Sequence, residues 1–99
     1  MERVVLPEGI DEEAEVAGRR WANEQLRRYE QDRLPQWCPM TEIDARNLAT
    51  RVANLRAPFV DPRDSRTIGH LASCVLAAAE RTWNDSLSSF TRRRRKNRY

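Results

Sequence analysis

"SRTIGHLASCVLAAAERTWNDSLSSF", Ser65 to Phe90, is the stretch that decides the fold. Ile68, Leu71, Ala72, Val75, Ala78, Ala79 and Trp83 recur there at helical spacing, followed by Leu87 and Phe90, so the segment reads as one long amphipathic helix starting near Asp64 or Ser65. Its middle, CVLAAAE, has the smallest side chains in the chain. Residues of that size let two helices approach closely, either inside the fold or across a dimer.

Two further helices precede it. Asp11, Glu12 and Glu13 put acid in a first turn, where the helix dipole favours it. Ile10, Ala14, Ala17 and Trp21 then follow at spacings of four, three and four, with Ala22, Leu26 and Tyr29 on the adjoining strip. Gly18 costs this helix roughly 1 kcal/mol relative to Ala and marks a candidate close contact. Pro35 ends the segment. Beyond the joint LPQWCPM, Thr41-Glu42-Ile43-Asp44 fits the capping pattern of a hydroxyl followed three residues later by an acid. Ile43, Leu48, Val52 and Leu55, with Ala45 and Ala49, complete a second amphipathic helix, and Pro58 and Pro62 bracket a second joint. The spacing thus predicts helices over about residues 11–33, 41–57 and 65–90. The expected fold is an all-α, small three-helix bundle forming one domain, residues 1–91, followed by a basic C-terminal tail, residues 92–99. The leader ERVVLP reads either as a short strand or extended arm, or as a disordered end whose Val4, Val5 and Leu6 pack loosely.

Composition limits how stable such a bundle can be. Ninety-nine residues make one domain at most, and 11 of its apolar residues are Ala. The core is therefore thin, a chain this size folds alone only marginally, and self-association into a homo-oligomer is expected. The N-terminus has no apolar stretch long enough for a signal peptide, and the longest largely apolar run, Leu71 to Ala79, is less than half of a membrane span, so a soluble, cytoplasmic protein with no membrane contact is expected, its two cysteines reduced.

Charge is unevenly placed. Of 18 cations, six lie in the tail FTRRRRKNRY, which closes the chain; the rest of the chain holds 12 cations against 15 acids, a net charge of −3. Seventeen of the cations are Arg, which binds phosphate bidentately and stacks on bases as Lys does not. The accompanying Ala excess also fits a GC-rich genome, hinting at a bacterial or phage origin. Arg92, Arg93, Arg94, Arg95, Lys96 and Arg98 can neutralise phosphates, and Phe90 and Tyr99 can stack on bases. These residues, with Tyr99, are the candidate nucleic-acid site, for RNA or DNA. The same letters would also suit an acidic protein surface or a solvated end.

Other constellations are weaker. His70 and Cys74, four apart on one helix, suit a metal, with Cys38 at a joint able to fold over them, yet no CxxC pair exists and Cys74 falls on the apolar face. No metal, no cofactor and no disulfide are expected. A Cys74–His70 nucleophile lacks an oxyanion hole and a cleft, and the three glycines are scattered, so no phosphate loop exists and no enzyme is expected. Arg66, Thr67, His70 and Ser73 are types that touch DNA, but the seven residues from Pro58 to Asp64 are too long a joint for a helix-turn-helix. Trp37 is expected to fold back and close the thin core; left outside, it becomes the best anchor for a protein partner, and Phe59 and Val60 present the same two readings. The functional expectation is a non-enzymatic accessory or structural protein that binds RNA or DNA through its tail. The rival is a small protein-binding inhibitor or adaptor, of the sort phages aim at host machinery, using a helix face and the Pro-rich joints.

Overall fold

The computed structural model describes residues 7–30, 33–57 and 59–96, with side chains as far as Ser89. Three helices make it up: α1 (Ile10–Arg28), α2 (Glu42–Leu55) and α3 (Ser65–Lys96). The described residues contain no strand. The leader Met1–Leu6, read from sequence as an arm, lies outside the described residues.

α2 and α3 begin where a side chain accepts from one of the first free N–H groups, whereas α1 begins without a side-chain cap. Gly9 precedes α1 at φ 85°, a backbone conformation glycine adopts without penalty. Thr41 and Asp44 form the predicted capping box: Asp44 N–H donates to Thr41 Oγ1 at 3.2 Å, and Thr41 N–H to Asp44 Oδ2 at 3.1 Å. Asp64 starts α3, its carboxylate accepting from the Arg66 N–H at 3.2 Å and from the Thr67 hydroxyl at 2.8 Å.

Long-range contacts set the topology. Asp11, in the first turn of α1, meets His70 near the start of α3, while Tyr29, just past α1, stacks edge-on against Trp83 at 5.9 Å. The two helices therefore run parallel. Arg56 at the end of α2 pairs with Glu13 at the start of α1, so α2 runs the opposite way between them. The result is an up-down-up bundle in which α3 packs most extensively on α1 and less on α2.

Small residues hold α1 and α3 together. The buried stripe of α1 is Ile10, Ala14, Gly18 and Ala22, and it faces Leu71, Val75, Ala78 and Ala79 of α3. A Cβ added at Gly18 would stand 2.2 Å from the Val75 carbonyl oxygen, so here the sequence's glycine does mark a backbone-to-backbone approach. Of the α3 alanines, Ala72, Ala78 and Ala79 are buried within the chain and Ala77 is exposed. Trp83 is the largest fully buried side chain, and its Nε1–H donates to the Pro35 carbonyl oxygen at 2.8 Å, tying the first joint to α3.

Three boundaries and one face differ from the reading of the sequence. α1 stops at Arg28, five residues short of expectation, because Tyr29 turns extended (φ −100°, ψ 142°) and the chain must bring Pro35 back to Trp83. α2 ends at Leu55, with Arg56 donating its N–H to the Ala53 oxygen. α3 continues to Lys96, so Arg92–Lys96 are on helical backbone where the sequence reading began a flexible tail. On α2 the buried side is Ala45, Ala49, Val52 and Ala53, whereas Ile43 and Leu55 are exposed. Residues 43 and 55 flank the α2 contact line rather than lie on it, and the close approach of the helices selects alanine for its centre.

Candidate functional site

Three places on this scaffold carry chemistry. The first is the far end of α3. Trp83 is the last residue of α3 found buried, Leu87 is half-buried, and Ser88 and Ser89 are exposed. At 1.5 Å per residue, the axis from Trp83 to Arg92 adds about 14 Å, so the helix leaves the bundle before its cations begin. Arg and Lys are good helix formers, and cations in a last turn oppose the negative end of the helix dipole, which accounts for helix at these positions. Arg98 and Tyr99 lie outside the described residues.

The second place is the pair of joints. Trp37 is 81% exposed and Phe59 80%, so neither closes the core. The expectation that Trp37 folds back is overturned: Trp83 is the fully buried indole and its N–H takes the neighbouring Pro35 carbonyl, while Trp37 stands exposed. Val60, next to Phe59, takes the inward position instead and is buried. A groove of about 860 Å³ opens between α1 and α2, lined by Trp21, Leu48 and Leu55 with Arg20, Glu24 and Arg51 at its margins. The Arg56 guanidinium closes one end as a fork on the Glu13 carboxylate, Nε donating to Oε2 at 3.0 Å and Nη2 to Oε1. That hydrogen bonding holds the Glu13 carboxyl below its ordinary value.

The third place is where α1 and α3 begin. His70 Nε2 lies 2.9 Å from Asp11 Oδ1 and 3.9 Å from Cys74 Sγ. All three ligand atoms fall within 4.8 Å of one another. The sequence places His70 and Cys74 together by their spacing, but Asp11 registers there only as a helix-dipole acid; the parallel docking of α1 on α3 is what adds it. Cys38 is not part of the group: its charged neighbour is Glu80, farther along α3. Both cysteines are free thiols. Burial pushes both thiols above the ordinary value; the Asp11 and Glu15 carboxylates add to the rise at Cys74, and Glu80 adds to it at Cys38, against a lowering hydrogen bond from the Met40 backbone. Asp11 and Cys74 approach the same ring nitrogen, so the imidazole cannot relay a proton between them as a catalytic triad would require. Thr67 is buried on Asp64, and His70 is engaged by Asp11, which removes two of the four side chains a helix-turn-helix reading would send to DNA.

The residues therefore define an all-α, up-down-up three-helix protein with one helix longer than its bundle. Compared with known proteins, the chain matches no family model, no curated protein and no solved structure. No helix among the described residues is long and apolar enough to cross a membrane.

Proposed function

We propose that this is a non-enzymatic nucleic-acid-associated protein of the cytoplasm, holding RNA or DNA phosphates with Arg92, Arg93, Arg94, Arg95, Lys96 and Arg98. The observation that carries the reading is the continuation of α3 to Lys96, past Trp83, the last buried residue among those whose side chains are described. The rest of the chain is net acidic and would repel a polyanion at short range. An extension of about 14 Å exceeds the Debye length of about 8 Å at physiological salt, so the acidic bundle is largely screened from a phosphate backbone at the helix end. Six neutralised phosphates give a log–log salt slope of up to about −5 on duplex DNA, or about −4 on a single strand. Deleting residues 92–99 removes most of that slope. Replacing the five arginines by lysine separates plain charge from bidentate and stacking contacts, which only arginine makes. A truncated protein that binds as tightly as the full chain with an unchanged slope refutes the reading.

The exposure of Trp37 and Phe59 favours a second reading, a protein-binding inhibitor or adaptor in which the two aromatics anchor a partner or a second copy of the chain. Tail deletion separates the readings, because this partner is retained when residues 92–99 are removed.

A further inference from the structure

We propose that Asp11, His70 and Cys74 form a binding site for one divalent transition metal of borderline softness, with zinc the leading occupant, clipping the start of α1 to the start of α3. The sequence argued against a metal because it holds no CxxC pair and Cys74 falls on the apolar face, and Cys38, its candidate third ligand, is not part of the group. The fold supplies the third from the other helix. A tetrahedral zinc with bonds of about 2.0–2.3 Å spaces its donors about 3.3–3.6 Å apart. The observed 2.9 Å from His70 to Asp11 and 3.9 Å from His70 to Cys74 bracket that spacing, so each outer ligand has to move only a few tenths of an ångström relative to the imidazole. Both partners can do so, since the His70 side chain is 49% exposed and that of Asp11 56%.

The charges match as well. Carboxylate, neutral imidazole and thiolate together carry two negative charges, the complement of a divalent ion. On coordination the thiol proton leaves to solvent as the metal–sulfur bond forms. The donor set of nitrogen, oxygen and sulfur suits zinc or cobalt and disfavours calcium and magnesium, which take oxygen ligands. Three protein ligands and an exposed face leave the fourth position to water, or to Glu15 one turn along α1 from Asp11.

The test titrates the reduced, metal-free full-length chain with cobalt(II), then displaces it with zinc. The expected result is one equivalent per chain, a near-ultraviolet thiolate-to-cobalt band, and a higher thermal midpoint with zinc. Cys74→Ser abolishes the band, and Cys38→Ser keeps it. His70→Gln and Asp11→Asn each weaken binding by at least the roughly 10–100-fold that follows loss of a group merely supporting a ligand. Far-UV dichroism checks that each variant is folded: Asp11 and His70 are exposed, and Cys→Ser is nearly isosteric at the half-buried Cys38 and Cys74. The proposal is overturned by a chain that shows no saturable thiolate band. It is overturned equally by a band that survives Cys74→Ser but not Cys38→Ser, or by unchanged affinity in Asp11→Asn.

Discussion

Gly18→Ala tests the packing on which the whole bundle rests. The new Cβ would lie 2.2 Å from the Val75 carbonyl oxygen, 3.0 Å from its carbonyl carbon and 3.2 Å from the Ala78 Cβ. The first two are backbone atoms of a helix, which cannot rotate out of the way, so α1 and α3 must separate locally by close to 1 Å. A gap of about 0.5–1 Å forfeits a quarter to a half of each dispersion contact it opens. Overpacking of this kind costs about 1–3 kcal/mol, and an unyielding backbone places it at the upper end. Alanine's better helix propensity returns about 1 kcal/mol, leaving a net loss of about 2 kcal/mol. For a domain of this size that is a fall in Tm of about 8–16 °C. Gly69→Ala is the control, because it lies in α3 with nothing within 4 Å of the added carbon, and there the propensity gain of up to about 1 kcal/mol stands alone. Thermal and urea unfolding followed by far-UV dichroism at matched protein concentration measure both. A Gly18→Ala chain that melts at or above the parent, while Gly69→Ala shows its gain, refutes the close approach of α1 to α3.

Three other perturbations separate features of the structure. Trp37→Ala should change stability by less than about 0.5 kcal/mol, as an exposed surface substitution does, whereas Trp83→Ala should cost about 3–5 kcal/mol, and urea unfolding distinguishes them. Glu13→Gln should destabilise the protein at neutral pH and lose that effect in acid: the folded carboxyl is held below its ordinary 4.5, so its contribution is complete above that value and vanishes as pH falls through the folded one. Comparing the two chains' urea midpoints across that range checks the sign. Removal of residues 92–99 should leave Tm within a few degrees of the parent while flattening the salt dependence of nucleic-acid binding, because α3 has left the bundle before Arg92.

Periodicity made the three helices legible, and local chemistry made some of their ends legible. Thr41 and Asp44 announce a capping box because both halves lie within four residues. The end of α1 was not legible, since nothing local to residues 29–33 says that Pro35 must return to the Trp83 indole, 48 positions away. The face of α2 was misread for a related reason. Hydrophobicity ranks Ile43 and Leu55 above alanine, but both fall outside the arc of Ala45, Ala49, Val52 and Ala53 that is buried. Trp83 was legible as core because it falls on the apolar stripe of α3, whereas Trp37 lies in a Pro-bounded joint with no periodicity to place it. The Asp11–His70–Cys74 group was half visible: the spacing of four within α3 is local, whereas the parallel docking of α1 is a tertiary fact.

A thin core, then, is met here by closeness more than by bulk, and this has a consequence for the two ends of α3. One end is bound into the fold through Asp11, and the other stands outside it. From Cys74 to Arg92 the helix axis runs about 27 Å. That is more than three Debye lengths at physiological salt, where one is about 8 Å, so a divalent ion at the first end contributes little field at the second. Because α3 is one continuous helix from Ser65 to Lys96, neither end rearranges the other's backbone. Zinc should therefore raise Tm and leave the salt slope for nucleic acid unchanged, and deletion of residues 92–99 should leave the cobalt band unchanged. Coupling in either direction would instead require a second arrangement of α3, in which the helix breaks between Trp83 and Arg92 and the cations fold back onto the acidic bundle.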